Sequence, residues 1–309
     1  MKRIIICLCA AVVSCLQVFA DAPAAKETVI IVPCHPDDIG AAVGFCLLAR
    51  GIYDIHVIEF THGERGCGAV NFTNGMAKAI RMAEEQAVCD ELGVTLHWLD
   101  AVDGEAHADR EVCDALSEYV LKYRPRALIG HYPVDIHGDH MMAGAAMLKA
   151  AFNVSTKDYK PEIYFFEQPY QTKAFHPDVY LDISQVYDQK LKVFRHYFSQ
   201  SAGHRYIDGG ISDLAEIEAF KADYAKRKEA AGERKVKDAP KKLHRTTCSA
   251  YHFGMRTSDL NQGARVEPYV SMFPRQQGQE TVFDKLPQNP RRFNSRFQGA
   301  KVGKWAEIK

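Results

Sequence analysis

His35, Asp37 and Asp38 lie in CHPDDIG, residues 34–40, directly after the apolar run TVIIVP. His137, Asp139 and His140 lie in HYPVDIHGDH, residues 131–140, directly after RALIG. Imidazole and carboxylate together suit a catalytic zinc site, which uses three protein ligands and keeps a fourth position for water or substrate. His35 and Asp38, three residues apart across a strand-to-helix turn, can share one ion, and His140 can complete the set. Asp37 then stands beside the ion without ligating it, where a general base for the water belongs. His137 can stabilise an oxyanion or donate a proton, and Asp139 can orient that imidazole from behind. A single histidine in a loop is more often a satisfied polar contact. Two His/Asp groups at corresponding strand ends are a concentration that folding alone does not require.

The elements that must position these groups alternate along the chain. TVIIVP, YDIHVIEF, VTLHWLD, RALIGHY and EIYFFEQ read as strands. DIGAAVGFCLLAR, MAKAIRMAEEQAVCDELG, DREVCDALSEYVLKYR and GDHMMAGAAMLKAAF carry helical apolar spacing between them, and Gly93 closes the second. This alternation predicts an α/β fold: a Rossmann-like, mostly parallel sheet with helices on both faces, plus a C-terminal extension. Such sheets bind ligands beyond the C-terminal strand ends, where both His/Asp groups fall. From about residue 178, DVYLDISQVYDQKLKVFRHYFSQ predicts one strand and a long helix. Residues 220–245 read as a solvated helix and loop, and 273–309 as a loosely packed basic, polar tail.

The 309 residues, 47% apolar and 25% charged, are ordinary for a globular chain, and zero net charge suggests no nucleic-acid partner. Residues 1–20 open on Lys2 and Arg3, continue apolar and end in VFA before Asp21, the pattern of a secretory signal. Export to periplasm or medium is expected, with no transmembrane helix in the mature chain. A lipoprotein signal anchored through Cys15 of VVSC is the competing reading. Six cysteines would remain; Cys46, Cys89 and Cys113 fall in apolar helical patterns, and no CxxC pair exists.

Other candidates carry weaker signals. THGERGCG follows the second strand, but its G-x-x-G-x-G order is not a dinucleotide fingerprint. Glu64 in that loop can line a pocket, Arg81 can clamp substrate hydroxyls, and Asp103 of DGE can accept a hydrogen bond from substrate. A solvated acid or a surface salt bridge is the plain alternative for each. His97 and Trp98 read as core or wall residues, and His62, His131, His176 and His252 show no partner pattern. Absence of GxSxG, HExxH and a P-loop removes the commonest serine-hydrolase, zincin and nucleotide-triphosphatase readings.

HPDD and HGDH together resemble the PIG-L/LmbE-like deacetylases, zinc-dependent enzymes that remove acetyl groups from N-acetylglucosamine-containing molecules. THGERG is similar to that family's T-x-G-E-x-G loop, RMAEE to its R-x-x-E helix, LDISQVYDQKLKVFRHYFSQ to its D-I-S…H-x-S-Q segment, and QGARVEPYV to a late G-x-x-Y-A-E-A-F stretch. The resemblance spans residues 27–272. It implies one Zn2+ ion, or another divalent metal, held by His35, Asp38 and His140, with Asp37 as general base. It also implies that His137 stabilises the tetrahedral intermediate and that Arg81 and Asp103 contact substrate. Three positions depart from the family pattern: Ile39 replaces a glutamate, Cys34 a small residue or proline, and Asp135 a tyrosine that transfers protons in some members.

The resulting expectation is an exported metal-dependent hydrolase removing the N-acetyl group from an N-acetylglucosamine-type sugar or glycoconjugate. An amidase acting on a different acylated amino-sugar conjugate is one alternative. A non-catalytic carbohydrate-binding protein is another, against which a spare Asp37 and His137 argue. A dinucleotide oxidoreductase is the most distant reading, and no oligomeric state is legible.

Overall fold

Val29, Ile30, Ile31 and Val32 are wholly shielded from solvent, which places β1 (Thr28–Val32) at the centre of a sheet covered on both faces. The computed structural model describes residues 25–66, 74–168, 171–197, 199–200, 266–273, 276 and 278–287. The expected signal, the charged stretch 220–245, Cys67, Cys248 and His252 lie outside them. So does most of the polar tail.

Seven strands form one sheet in the order β3-β2-β1-β4-β5-β7-β6. β2 (Asp54–Thr61), β3 (Thr95–Ala101), β4 (Ala127–His131) and β5 (Glu162–Phe166) continue the parallel set begun by β1. β7 (Val266–Ser271) runs antiparallel to β5, and β6 (Val179–Asp182) antiparallel to β7. The expected mostly parallel α/β sheet is therefore present, with an antiparallel margin. The chain steps outward from β1 to β3, then returns to lay β4 on the other side of β1. The C-terminal ends of β1 and β4 thus flank the switch point where this architecture opens a crevice.

Alternate residues of β1 serve the two layers. Val29 and Ile31 join the core beneath α1 (Val43–Ala49) and α2 (Asn74–Leu92); Ile30 and Val32 join the core beneath α3 (Arg110–Tyr123) and α4 (Gly138–Val154). Gly93, at φ +69°, ends α2 as its lack of a Cβ allows.

Two elements differ from the sequence expectation. DIGAAVGFCLLAR begins as a 3-10 turn, Asp38–Ala42, before α1, because the Glu267 carboxylate accepts the Gly44 and Phe45 amides at 2.6 and 2.9 Å. The long helix expected after β6 is a short α5 (Tyr187–Val193) with one 3-10 turn, Phe194–His196. Side chains beyond it are drawn onto α2: Tyr197 Oη donates to Glu85 Oε2 at 2.7 Å, and the Ser199 amide and hydroxyl both donate to Glu84 at 2.7 Å. Past residue 272 the chain is not all loose extension either. Val282, Phe283 and Leu286 are buried, and the Phe283 ring meets those of Phe45, Tyr164 and Tyr269 at 5.0–5.3 Å. Among the described residues no helix is long and apolar enough to cross a membrane. Cys34, Cys46, Cys89 and Cys113 are free and buried.

Burial raises the Glu85 carboxyl to about 8, against the Tyr197 hydrogen bond that lowers it. The folded state therefore holds a proton that the unfolded chain releases at the ordinary carboxylate pKa. Its stabilising contribution is complete below that value and is lost as pH rises through about 8. Glu85→Gln should match wild type most closely in urea midpoint at pH 4 and exceed it at pH 8. The difference should open by at most about 1.4 kcal/mol per pH unit.

Candidate metal centre

The tight turn after β1 sets the first half of the site. The Asp38 amide donates to His35 O at 2.9 Å, and Asp38 Oδ2 in return accepts the His35 amide at 2.9 Å. The end of β2 fixes the preceding residue, because Thr61 donates to Cys34 O from both its amide and its hydroxyl. The second half comes from the loop between β4 and α4, where His137 caps the helix and His140 lies in its first turn.

Three atoms converge: His35 Nδ1, Asp38 Oδ2 and His140 Nε2. Their separations are 3.1 Å (His35–Asp38), 3.2 Å (His35–His140) and 3.2 Å (Asp38–His140). A tetrahedral zinc ion with bonds of about 2.0–2.1 Å sets its donors about 3.3–3.4 Å apart. This nearly equilateral triangle of two imidazole nitrogens and one carboxylate oxygen therefore fits such an ion.

The outward faces of His35 and Asp38 are also occupied, and that of His140 is approached by a carboxylate. His35 Nε2 stands 3.2 Å from Asp139 Oδ2 and 3.3 Å from Asp103 Oδ1, two acceptors that place the proton on Nε2 and the lone pair on Nδ1. Asp38 Oδ1 accepts from Gln168 Nε2 at 2.7 Å, and His140 Nδ1 lies 3.5 Å from Asp135 Oδ1.

Neighbouring donor groups are less suited to hold the ion. His131 Nε2 accepts the Cys34 amide at 3.1 Å, which consumes its lone pair; burial and the His140 charge push its pKa down to about 4. The Cys34 sulfur lies 3.8 Å from His35 Nε2, and burial pushes its thiol up to about 12, so it stays protonated. Burial works against charge on Asp38, but the His140 charge holds its carboxyl well below the ordinary range.

Asp37 lies beside the triangle with its own anchor. Arg81 of α2 donates to Asp37 Oδ1 at 2.6 Å and to Pro36 O. Burial lifts the Asp37 carboxyl to about 6 despite the guanidinium. Asp37 also sits at φ 134°, a backbone strain of about 1–3 kcal/mol that the surrounding contacts must hold. The His137 ring stacks on His140 at 4.5 Å and meets His35 edge-on at 4.8 Å. Burial, then the His140 and His35 charges, lower the His137 pKa, which leaves its imidazole neutral.

The weaker sequence candidates gather here in other postures. Arg81, in the interior of α2, braces Asp37. Asp103 gives one oxygen to His35 and accepts the Arg65 amide at 2.9 Å with the other. Glu64 accepts the Asp103 amide at 3.1 Å. Asp139 meets His35, not the His137 ring it was expected to orient, and accepts the Gly104 amide at 2.6 Å. Sequence reasoning missed His131, Asp135 and Gln168.

The glycines of THGERG make room for Arg81. A Cβ on Gly63 would lie 2.4 Å from Arg81 Nε, and one on Gly66 1.8 Å from Arg81 Nη1. Gly63 also holds φ +67°. Gly63→Ala should destabilise the fold by about 1–3 kcal/mol in urea titrations. It should also displace Arg81 from Asp37 and lower turnover without lowering metal content.

Comparison with known proteins follows the same residues. Residues 30–151 match the PIG-L family, described as GlcNAc-PI de-N-acetylase. The chain is 27% identical over 183 residues to 4-oxalmesaconate hydratase of Pseudomonas putida, covering 53% of this chain and 70% of that protein. It is 24% identical over 219 residues to diacetylchitobiose deacetylase of Thermococcus kodakarensis, covering 60% and 82%. The solved N,N'-diacetylchitobiose deacetylase of Pyrococcus horikoshii superposes with a TM-score of 0.55 at 21% identity, over 82% of this chain and 85% of that one, and so shares its fold.

Proposed function

We propose, from the match of residues 30–151 to the PIG-L family, that this chain is a metal-dependent N-deacetylase of N-acetylglucosamine-type sugars or glycoconjugates. The observation that carries this reading is the triangle of His35 Nδ1, Asp38 Oδ2 and His140 Nε2, with Asp37 next in the chain and held by Arg81. Zinc bound there would supply Lewis acidity to the amide carbonyl and a lowered pKa to water. Asp37, held by Arg81, takes the water proton as the carbon–oxygen bond forms. His137, neutral and partly exposed, holds the developing oxyanion. Asp37 then returns that proton to the nitrogen, so that the carbon–nitrogen bond breaks to amine and acetate. Export remains part of the proposal and rests on residues 1–20.

The hydratase among the relatives raises water addition to an unsaturated acid as a second reading. The site favours a neutral acetamide over that substrate. Asp37, Asp38, Asp103, Asp135 and Asp139 all crowd the centre, and the Arg81 guanidinium is engaged by Asp37. A polycarboxylate would meet repulsion there.

The test is acetate release across a panel of N-acetylated mono- and oligosaccharides, with chelator and with zinc restored. Release that chelator abolishes and zinc restores is the expected outcome. Acetate release indifferent to chelator, or none from any acetamido sugar, would overturn the proposal.

A further inference from the structure

The geometry points to Gln168 as a positioning residue for the metal ligand Asp38, the leading member of a brace that the segment after β5 sets against the centre. This inference rests on the metal-dependent reading of the same site. Gln168 Nε2 lies 2.7 Å from Asp38 Oδ1 and 3.2 Å from Asp38 O. Both partners are acceptors, so the side-chain amide can present only its NH2 end to them. With Oδ1 engaged in this way, Oδ2 alone remains on the triangle shared with His35 and His140. Gln168 thus selects which carboxylate oxygen faces the ion and keeps the other from it, so that Asp38 occupies one coordination position and leaves space for water or substrate.

The brace has a second arm. The Gln168 amide donates to Thr172 Oγ1 at 2.7 Å, and Thr172 Oγ1 donates to Asp135 Oδ2 at 2.9 Å. Asp135 Oδ1 accepts the His137 amide at 2.8 Å and stands 3.5 Å from His140 Nδ1. Residues of one short segment therefore reach Asp38 directly and His140 through Asp135, joining ligands that lie 102 positions apart in the chain. Asp135 has both oxygens committed to this brace, which makes it a support for His140 and not a proton-transfer group.

The experiment is zinc affinity by competition with a chromophoric chelator, read together with the melting temperature of the metal-free protein and the absorption spectrum of the cobalt-substituted protein. Gln168→Leu should weaken zinc binding about ten- to hundredfold and alter the cobalt spectrum, while the metal-free melting temperature stays near wild type. Gln168→Glu, which sets a second carboxylate against Asp38, should bind less zinc still. It also serves as the test variant if the leucine variant fails to fold. Thr172→Val should weaken zinc binding less than Asp135→Asn, and the two together should cost no more than Asp135→Asn alone, because one acts through the other. Zinc affinity and cobalt spectrum unchanged in both Gln168 variants would overturn the inference. A wild-type protein that binds zinc but releases no acetate would instead refute the proposed activity and leave the role of Gln168 standing.

Discussion

Asp37→Asn should lower acetate release roughly a hundred- to ten-thousandfold, the range expected when a positioned general base is removed. Zinc content should stay at the wild-type level, because the ligand triangle is complete without Asp37. Asparagine is isosteric with aspartate and still offers Arg81 an acceptor oxygen, so the turn at φ 134° should survive. The loss should fall on kcat, with KM little changed, since the proton transfer belongs to the transition state. Zinc lost together with activity would reassign Asp37 as a ligand. Activity within a few-fold of wild type would remove it from the mechanism.

The largest effect on stability is expected at Lys190 and Glu267. Both are wholly buried, and the ammonium of Lys190 donates to Glu267 at 2.6 Å. Glu267 also accepts the Gly44 and Phe45 amides and the Tyr269 hydroxyl, so the pair has its hydrogen bonds satisfied. Lys190→Met would strand a carboxylate in the core at a cost of about 3–5 kcal/mol. Lys190→Met with Glu267→Gln should be clearly milder than the sum of the two single changes, because no uncompensated charge remains. Urea unfolding of the three variants measures this. The pair ties β7 and α5 to the start of α1, immediately after the 3-10 turn that begins at Asp38. It thereby lets a late stretch of chain support the first metal loop.

Much of this organisation could be read from residue order. Four of the five parallel strands announced themselves by runs that both layers bury, the edge strand β3 by its alternation, and the His/Asp groups by their place after β1 and β4. Gln168 carried no such signal, because an isolated glutamine after a strand looks like any loop residue. Only the adjacency of β5 to β4 brings it to the same sheet edge. His131 was hidden differently: it showed no partner pattern in the sequence, and its contact with the Cys34 amide depends on β1 and β4 being neighbours. The short α5 was misjudged because helical spacing continues through Phe194, while Tyr197 and Ser199 gain more from Glu85 and Glu84 than from another helical turn. Val282 and Phe283 were overlooked because two apolar residues in a polar tail show no period. In each case a contact distant in sequence outweighed the local pattern.

Anomalous diffraction at the zinc absorption edge, from crystals of the zinc-loaded protein, tests the central claim most directly. A single strong peak is expected at bonding distance, about 2.0–2.2 Å, from His35 Nδ1, Asp38 Oδ2 and His140 Nε2 together. A peak on the opposite side of the His35 ring, shared with Asp103 and Asp139, or no ordered peak near His35, would contradict the account.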